Sequence, residues 1–234
     1  MNYSSIEQRL NQNSLRCCGG FHPTAKDQGE TIILADYQTA IIVGNAGNQS
    51  SFKFWQAFEK GQEEIKNPLE NWTRQSLTKI AEDLEAAVIF PFDGPPFIPI
   101  LTWAQRAEAV FPSPFGPLIH PEYGLWHAYR GVLLFEDKVE LPSIETQASP
   151  CQDCAERPCV STCPVDAIAD NEFPKNFNIV ACTEFMASTK GKDCLQNGCL
   201  ARRACPTGQE HVYEPAQAEF HLTAFLKTFG PKTA

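Results

Sequence analysis

Much is missing from this chain, and each absence excludes a class of protein. No uninterrupted apolar stretch approaches the roughly 20 residues a bilayer-spanning helix needs, so no membrane segment is predicted. The first residues, Met-Asn-Tyr-Ser-Ser-Ile-Glu-Gln, lack the basic start and apolar run of a secretory signal, and a cytoplasmic protein is expected. Positive charge is short: 19 Lys and Arg stand against 28 Asp and Glu, a net charge of −9. Such a surface repels a phosphate backbone, so nucleic acid is not an expected partner. Cysteine is nearly absent from the first 150 residues, where only Cys17 and Cys18 occur. There is no low-complexity tract, and no repeat apart from two groups of cysteines.

What is present has ordinary globular composition, with 43% hydrophobic and 20% charged residues in 234. That length can bury one large core or two small ones. A polar linker with two prolines, Leu141 to Pro150, marks a boundary. The expected division is residues 1–145, then a cysteine-bearing module at 146–213, then a terminal helix at 214–234 that covers the first domain. Before the boundary, strands and helices alternate. Helices are predicted at Ser5–Leu15, Ser51–Glu64, Leu69–Ala86 and Leu101–Val110, and strands at Thr31–Leu34, Thr39–Val43, Ala87–Phe90 and Trp126–Phe135. The turn Gly44-Asn45-Ala46-Gly47 between a strand and a helix either presents N–H groups to an anion or simply connects the two elements. The final helix is predicted at Pro215–Phe229.

Eight of the ten cysteines lie between Cys151 and Cys205. In a reducing compartment such clustering reads as metal ligation, not disulfides. The first group is Cys151-x2-Cys154-x4-Cys159-x3-Cys163-Pro164; the second is Cys182, then Cys194-x4-Cys199-x5-Cys205-Pro206. A 4Fe-4S cluster takes one thiolate per iron, so eight cysteines match two clusters. In two-cluster ferredoxins the Cys of a Cys-Pro pair ligates the other cluster. The same crossing here assigns Cys151, Cys154, Cys159 and Cys205 to one cluster, and Cys163, Cys182, Cys194 and Cys199 to the second. Zinc modules generally use two close pairs, often with His, and do not need the recurring Cys-Pro. The gaps in the second group are longer than usual. Lys190, Lys192, Arg202 and Arg203 lie within that group; they either screen a negative cluster, form a docking patch, or make a solvated basic face. Cys17 and Cys18 read as small apolar residues, since adjacent cysteines rarely share a metal.

The first 140 residues need their own explanation. The segment Ile119-His120-Pro121-Glu122-Tyr123-Gly124-Leu125-Trp126-His127-Ala128-Tyr129-Arg130-Gly131-Val132-Leu133-Leu134 resembles one in the CblC cobalamin-processing proteins, with Ile-His-Pro, an aromatic-Gly step, Trp, Arg-Gly and an apolar strand in the same order. The order of domains resembles epoxyqueuosine reductase and the reductive dehalogenases. Those proteins join a cobalamin-binding domain to a two-cluster ferredoxin module. The resemblance implies an α+β fold: a nitroreductase-like N-terminal domain and a C-terminal bacterial ferredoxin-like module. It implies two 4Fe-4S clusters and cobalamin as cofactors, and a corrinoid as the small-molecule partner. The electron donor would be a flavodoxin or ferredoxin reductase.

The resemblance also implies a corrin pocket containing His120, Tyr123, Gly124, Trp126, Arg130 and Gly131. Plainer roles stand beside these: a loop histidine bonded to backbone, core aromatics, and a strand arginine paired with Glu108 or Glu122. No catalytic proton donor can be singled out. The leading functional expectation is a cobalamin-binding iron–sulfur oxidoreductase. A plain electron carrier with a docking domain and a flavin-dependent reductase are the competitors.

Overall fold

The structure is a computed structural model that describes residues 1–24, 27, 34, 36–47, 66–168 and 177–231. The chain divides into two compact units: Met1–Ala109 with His127–Thr146, and Val110–Trp126 with Gln147–Ala234. Helices accompany a small antiparallel sheet, an α+β fold. The last of the three passages of the chain between the units lies at Thr146–Gln147. Residues 110–126, however, belong with the cysteine-bearing unit and not with the first domain.

The first unit is built on a four-stranded sheet of β1 (Arg16–Phe21), β2 (Thr39–Ala46), β3 (Ala87–Ile89) and β4 (His127–Phe135), in the order β1-β2-β4-β3. All of its pairings are antiparallel. β2 is central and buried along its whole length, which explains a near-continuous apolar sequence instead of an alternating one. It pairs Ile41 with Leu133 and Ile42 with Val132. Its N-terminal half and the end of β4 share a core with Phe21, Ile98, Trp103 and Ala107.

Among the described residues, three helices accompany the sheet. In α1 (Tyr3–Gln12), Asn2 caps the start by accepting from the Ser5 N–H at 2.9 Å, and Ile6 and Leu10 are buried. α2 (Pro68–Asp83) opens on a proline at its first turn, where no N–H is missed. Leu69, Trp72, Thr73, Leu77, Ile80 and Ala81 recur at helical spacing on its buried face. α3 (Ile100–Ala107) buries Trp103, Ala104 and Ala107.

Two bulges shape the sheet. Between Val43 and Gly44 the register slips, so that Gly131 and Tyr129 face successive residues of β2 and Arg130 is the extra residue. A second slip lies between Cys17 and Gly20, where Gly19 adopts φ +74°. A Cβ there would collide with the Ala107 carbonyl, so glycine is required.

β1 was not anticipated from the sequence, because Arg-Cys-Cys-Gly-Gly-Phe has neither the alternation nor the β-branched content of a strand. The expected Gly44–Gly47 turn is corrected. Gly44, Asn45 and Ala46 continue β2 and pair with Tyr129, Ala128 and His127, so their backbone belongs to the sheet and does not form an anion cradle. The predicted helix at Ser51–Glu64 and most of the strand at Thr31–Leu34 lie outside the described residues.

The second unit holds α4 (Pro158–Ser161), α5 (Ile179–Ala187), α6 (Lys192–Asn197), α7 (Leu200–Arg203) and α8 (Pro215–Phe229), with 3-10 turns at Thr189–Gly191 and Gln209–His211. α8 belongs to the second unit and packs on α6 and α5. Close approach is possible because Gly198, at φ +97°, leaves room beside Ala218, whose Cβ is 3.3 Å from where a glycine Cβ would sit. Among the described residues no helix is long and apolar enough to cross a membrane.

Candidate metal centres

Two hollows in the second unit are lined by thiols. Cys151, Cys154, Cys159 and Cys205 line the smaller one, of about 20 Å³, together with Arg157, Thr207 and four prolines. Cys163, Cys182, Cys194 and Cys199 line the larger one, of about 280 Å³, whose wall is otherwise mostly apolar, with Trp126, Met186, Tyr213 and Phe225, but also includes Arg202 and His221. Each hollow therefore draws cysteines from both sequence groups.

Local geometry explains how the thiols converge. The turn before Cys151 is closed by the Gln152 N–H on Ser149 O at 3.0 Å, and the Cys151 N–H reaches Ser149 Oγ at 3.3 Å. Arg157 takes the left-handed conformation at φ +41°, and Pro158 starts α4, placing Cys159 in the first turn. After Cys163, Pro164 prevents helix continuation. The Ala167 N–H then turns back to Cys163 Sγ at 3.3 Å. Cys182 rides on α5, whose cap is the Asn178 side chain accepting from the Ala181 N–H at 3.0 Å. Cys194 lies in α6 and Cys199 caps α7. Cys194 Sγ accepts the Leu200 N–H, and Cys199 Sγ accepts those of Ala201 and Arg202. Cys205 Sγ is met by the backbone N–H and side chain of Thr207.

Burial in such company disfavours the thiolate form. Burial first, then the neighbouring Cys205, pushes Cys159 up to about 11. Burial and the neighbouring Cys199 push Cys182 up to about 12. Cys151, Cys194, Cys199 and Cys205 are raised for the same leading reason. Four crowded thiols can deprotonate together only around positive charge, and metal binding supplies it.

The donor set suits a 4Fe-4S cluster: four thiols to a hollow, one for each iron, with backbone N–H groups aimed at several sulfurs. Among the described residues no three His, Cys, Asp or Glu side chains converge as a single-ion site. Cys17 and Cys18 lie in the first unit, buried in β1; Cys17 Sγ donates to Tyr3 Oη at 3.3 Å, and Cys18 joins the core.

The residues expected in a corrin pocket separate. His120, Tyr123, Gly124 and Trp126 belong to the second unit, and Arg130 and Gly131 to β4 of the first. His120 and Gly124 close a tight turn through reciprocal backbone bonds of 2.8 and 2.9 Å. His120 Nδ1 accepts the N–H groups of Glu122 and Tyr123 at 3.0 and 3.2 Å. Gly124, at φ +56°, lies directly against Thr207, and Gly208 lies against Tyr123, so the two turns interlock through their glycines. Trp126 is 1% exposed, with Tyr213 edge-on at 5.2 Å and the Arg202 guanidinium at 4.3 Å. It is a core aromatic that also walls the larger thiol hollow. Arg130 Nε donates to Asn45 Oδ1 at 2.7 Å. Gly131 faces Val43 across the sheet, and a Cβ there would press on Leu77 Cδ1 at 2.8 Å.

Glu108 is held by Arg16, which donates to both carboxylate oxygens at 2.7 and 2.9 Å, while Tyr129 Oη donates to Oε1 at 3.0 Å. This network went unseen in the sequence, because 92 positions separate its charges and no spacing rule joins them.

No family model and no curated protein matches the chain. Solved structures do. An epoxyqueuosine reductase from Streptococcus thermophilus superposes with a TM-score of 0.56 at 17% identity, covering 98% of this chain and 76% of that one. A C. elegans B12-trafficking protein, CblC, superposes with a TM-score of 0.56 at 16% identity, covering 97% of this chain and 95% of that one. At such identities the likeness is one of fold.

Proposed function

We propose that this protein is a cobalamin-binding iron–sulfur oxidoreductase that passes low-potential electrons from two 4Fe-4S clusters to a corrinoid. The observation that carries the reading is the pair of four-thiol hollows in one unit of a chain whose fold resembles both an epoxyqueuosine reductase and a B12-trafficking protein. Cys151, Cys154, Cys159 and Cys205 would hold one cluster; Cys163, Cys182, Cys194 and Cys199 would hold the other. The clusters supply one-electron chemistry at low potential, which cobalt needs to reach its strongly nucleophilic +1 state.

The protein's own groups serve that chemistry in definable ways. Prolines and apolar side chains line much of the thiol hollows, and the N–H groups of Leu200, Ala201 and Arg202 stabilise negative charge on sulfur. His120 has one assignable role. Its Nδ1 accepts two backbone N–H groups, so the neutral ring carries its proton on Nε2. That nitrogen is a donor, suited to hydrogen-bond a corrin side chain and not to ligate cobalt, which accords with base-off binding. Tyr123, Gly124, Trp126, Arg130 and Gly131 complete the proposed pocket segment. The net charge of −9 favours a corrinoid over a nucleic acid as the partner, and the donor proposed is a flavodoxin or ferredoxin reductase in the cytoplasm.

The test is the visible and EPR spectrum of anaerobically purified protein with and without cob(II)alamin. Base-off binding removes the lower-base nitrogen splitting, and reduction of the clusters then yields the cobalt(I) absorption band. A cobalamin spectrum untouched by the protein eliminates the corrinoid part of the proposal and leaves an electron carrier or a flavin enzyme.

A further inference from the structure

Of the four basic residues interspersed with the second cysteine group, only Arg202 lines the larger thiol hollow. Its neighbour Arg203 is committed elsewhere: it is paired with Asp193 and donates through Nε to Gly198 O at 3.0 Å. Arg202 differs in every respect. Its guanidinium lies 4.3 Å from the Trp126 ring centre and 4.7 Å from that of Tyr213. Nη2 donates to Leu125 O at 2.5 Å, and Nε is buried with no hydrogen-bond partner among the described residues. Nor is Arg202 ion-paired with a carboxylate among the described residues. A permanent positive charge thus lies beside two aromatic rings and lines the same hollow as four thiols that would be thiolates around a cluster. A cation with its Nε buried and unpartnered favours a nearby anion, and among the described residues the anionic body this hollow offers is that cluster.

We propose that Arg202 is the counter-charge of the cluster held by Cys163, Cys182, Cys194 and Cys199, and that it sets this cluster's reduction potential. The inference rests on the reading that clusters occupy the thiol hollows. One electron from a low-potential protein donor adds one negative charge to the cluster and no proton. Arg202 therefore stabilises the reduced state more than the oxidised one and raises the potential. Aromatic flanking serves this role, since Trp126 and Tyr213 fix the guanidinium without supplying a neutralising charge. The other hollow is lined by a different arginine, Arg157.

The experiment is an EPR-monitored potentiometric titration of anaerobically purified holoprotein, with iron analysis on the same samples. Wild type is compared with Arg202→Met, Arg202→Gln and Arg202→Lys, and signals are assigned with Cys154→Ser and Cys182→Ser. The backbone N–H at 202 survives in all the Arg202 variants. In the Met and Gln variants, with full iron, the reduced-to-oxidised ratio of the Cys182 cluster at the wild-type midpoint should fall about tenfold, equal to about 59 mV for one electron. The Lys variant should recover most of the shift, and the other cluster should move much less. If the Met and Gln variants lose that cluster while Lys retains it, the charge is required to hold it and the proposal stands. Unchanged midpoints in fully loaded Met and Gln variants overturn it, as does cluster loss in Lys as well, which would make the role one of packing. Wild-type protein without iron removes the underlying reading itself, a result distinct from an unmoved potential.

Discussion

Replacing Gly124 with alanine tests whether the His120–Trp126 segment supports the first set of thiols. Gly124 has φ +56°, a conformation that costs an L-residue about 1–2 kcal/mol. Its new Cβ would overlap the Thr207 carbonyl oxygen and stand 2.7 Å from the Thr207 carbonyl carbon. Both are backbone atoms, so no rotamer change relieves the clash, and overpacking of this kind adds about 1–3 kcal/mol. A total destabilisation of about 2–5 kcal/mol follows from the two ranges. The displacement has a chemical consequence, because Thr207 donates from both backbone and side chain to Cys205 Sγ. Gly124→Ala should therefore lower stability and selectively impair the cluster of Cys151, Cys154, Cys159 and Cys205. The assay is anaerobic denaturant unfolding together with iron content and EPR of both clusters. Gly198→Ala is the informative comparison, since its φ of +97° strains the backbone but its Cβ meets only Ala218 Cβ, at 3.3 Å. Gly124→Ala protein with wild-type stability and both EPR signals intact would refute the interlocking of the two turns.

Other outcomes follow from the same coordinates. Anaerobic protein should contain about eight iron and eight sulfide, by one thiolate per iron. Cys205→Ser should disturb the Cys151 cluster, whereas Cys17→Ala should leave the iron count unchanged; EPR damage confined to the Cys182 cluster would contradict the shared hollow. Glu108→Ala strips a buried Arg16 of its carboxylate and should cost about 3–5 kcal/mol. The paired change Arg16→Met with Glu108→Leu should cost far less, as read by a double-mutant cycle; equal costs would contradict a buried pair. Stability should also fall with alkali. Burial raises Cys17 to about 11 from an ordinary 9.0, so between those values the folded state holds a proton that the unfolded chain has released. The contribution is full below about pH 9 and lost as pH rises through about 11, amounting to about 2–3 kcal/mol. Cys17→Val should flatten that slope in denaturation curves taken across the window, and an unaltered slope would remove Cys17 as its source.

What the sequence determined by itself is local. The apolar run Thr-Ala-Ile-Ile-Val reads as a buried strand, and Leu69, Trp72, Leu77 and Ile80 mark a helix face, because burial period is written along the chain. Eight thiols beside two Cys-Pro steps point to clustered metal ligation for the same reason: ligand type and count are properties of composition and spacing. Tertiary structure decided everything that depends on distant partners. It set Cys205 beside Cys151, Cys154 and Cys159, drew residues 110–126 into the cysteine-bearing unit, and seated α8 on α6 and α5. It turned Gly124 into a contact for Thr207, and it singled out Arg202 from Arg203 by giving one two aromatic rings and the other an aspartate. The reason is physical: a side chain's charge state and neighbours are fixed by what folding brings within a few ångströms of it, and neighbours such as Arg16 and Glu108 lie 92 positions apart in a chain that marks neither for the other.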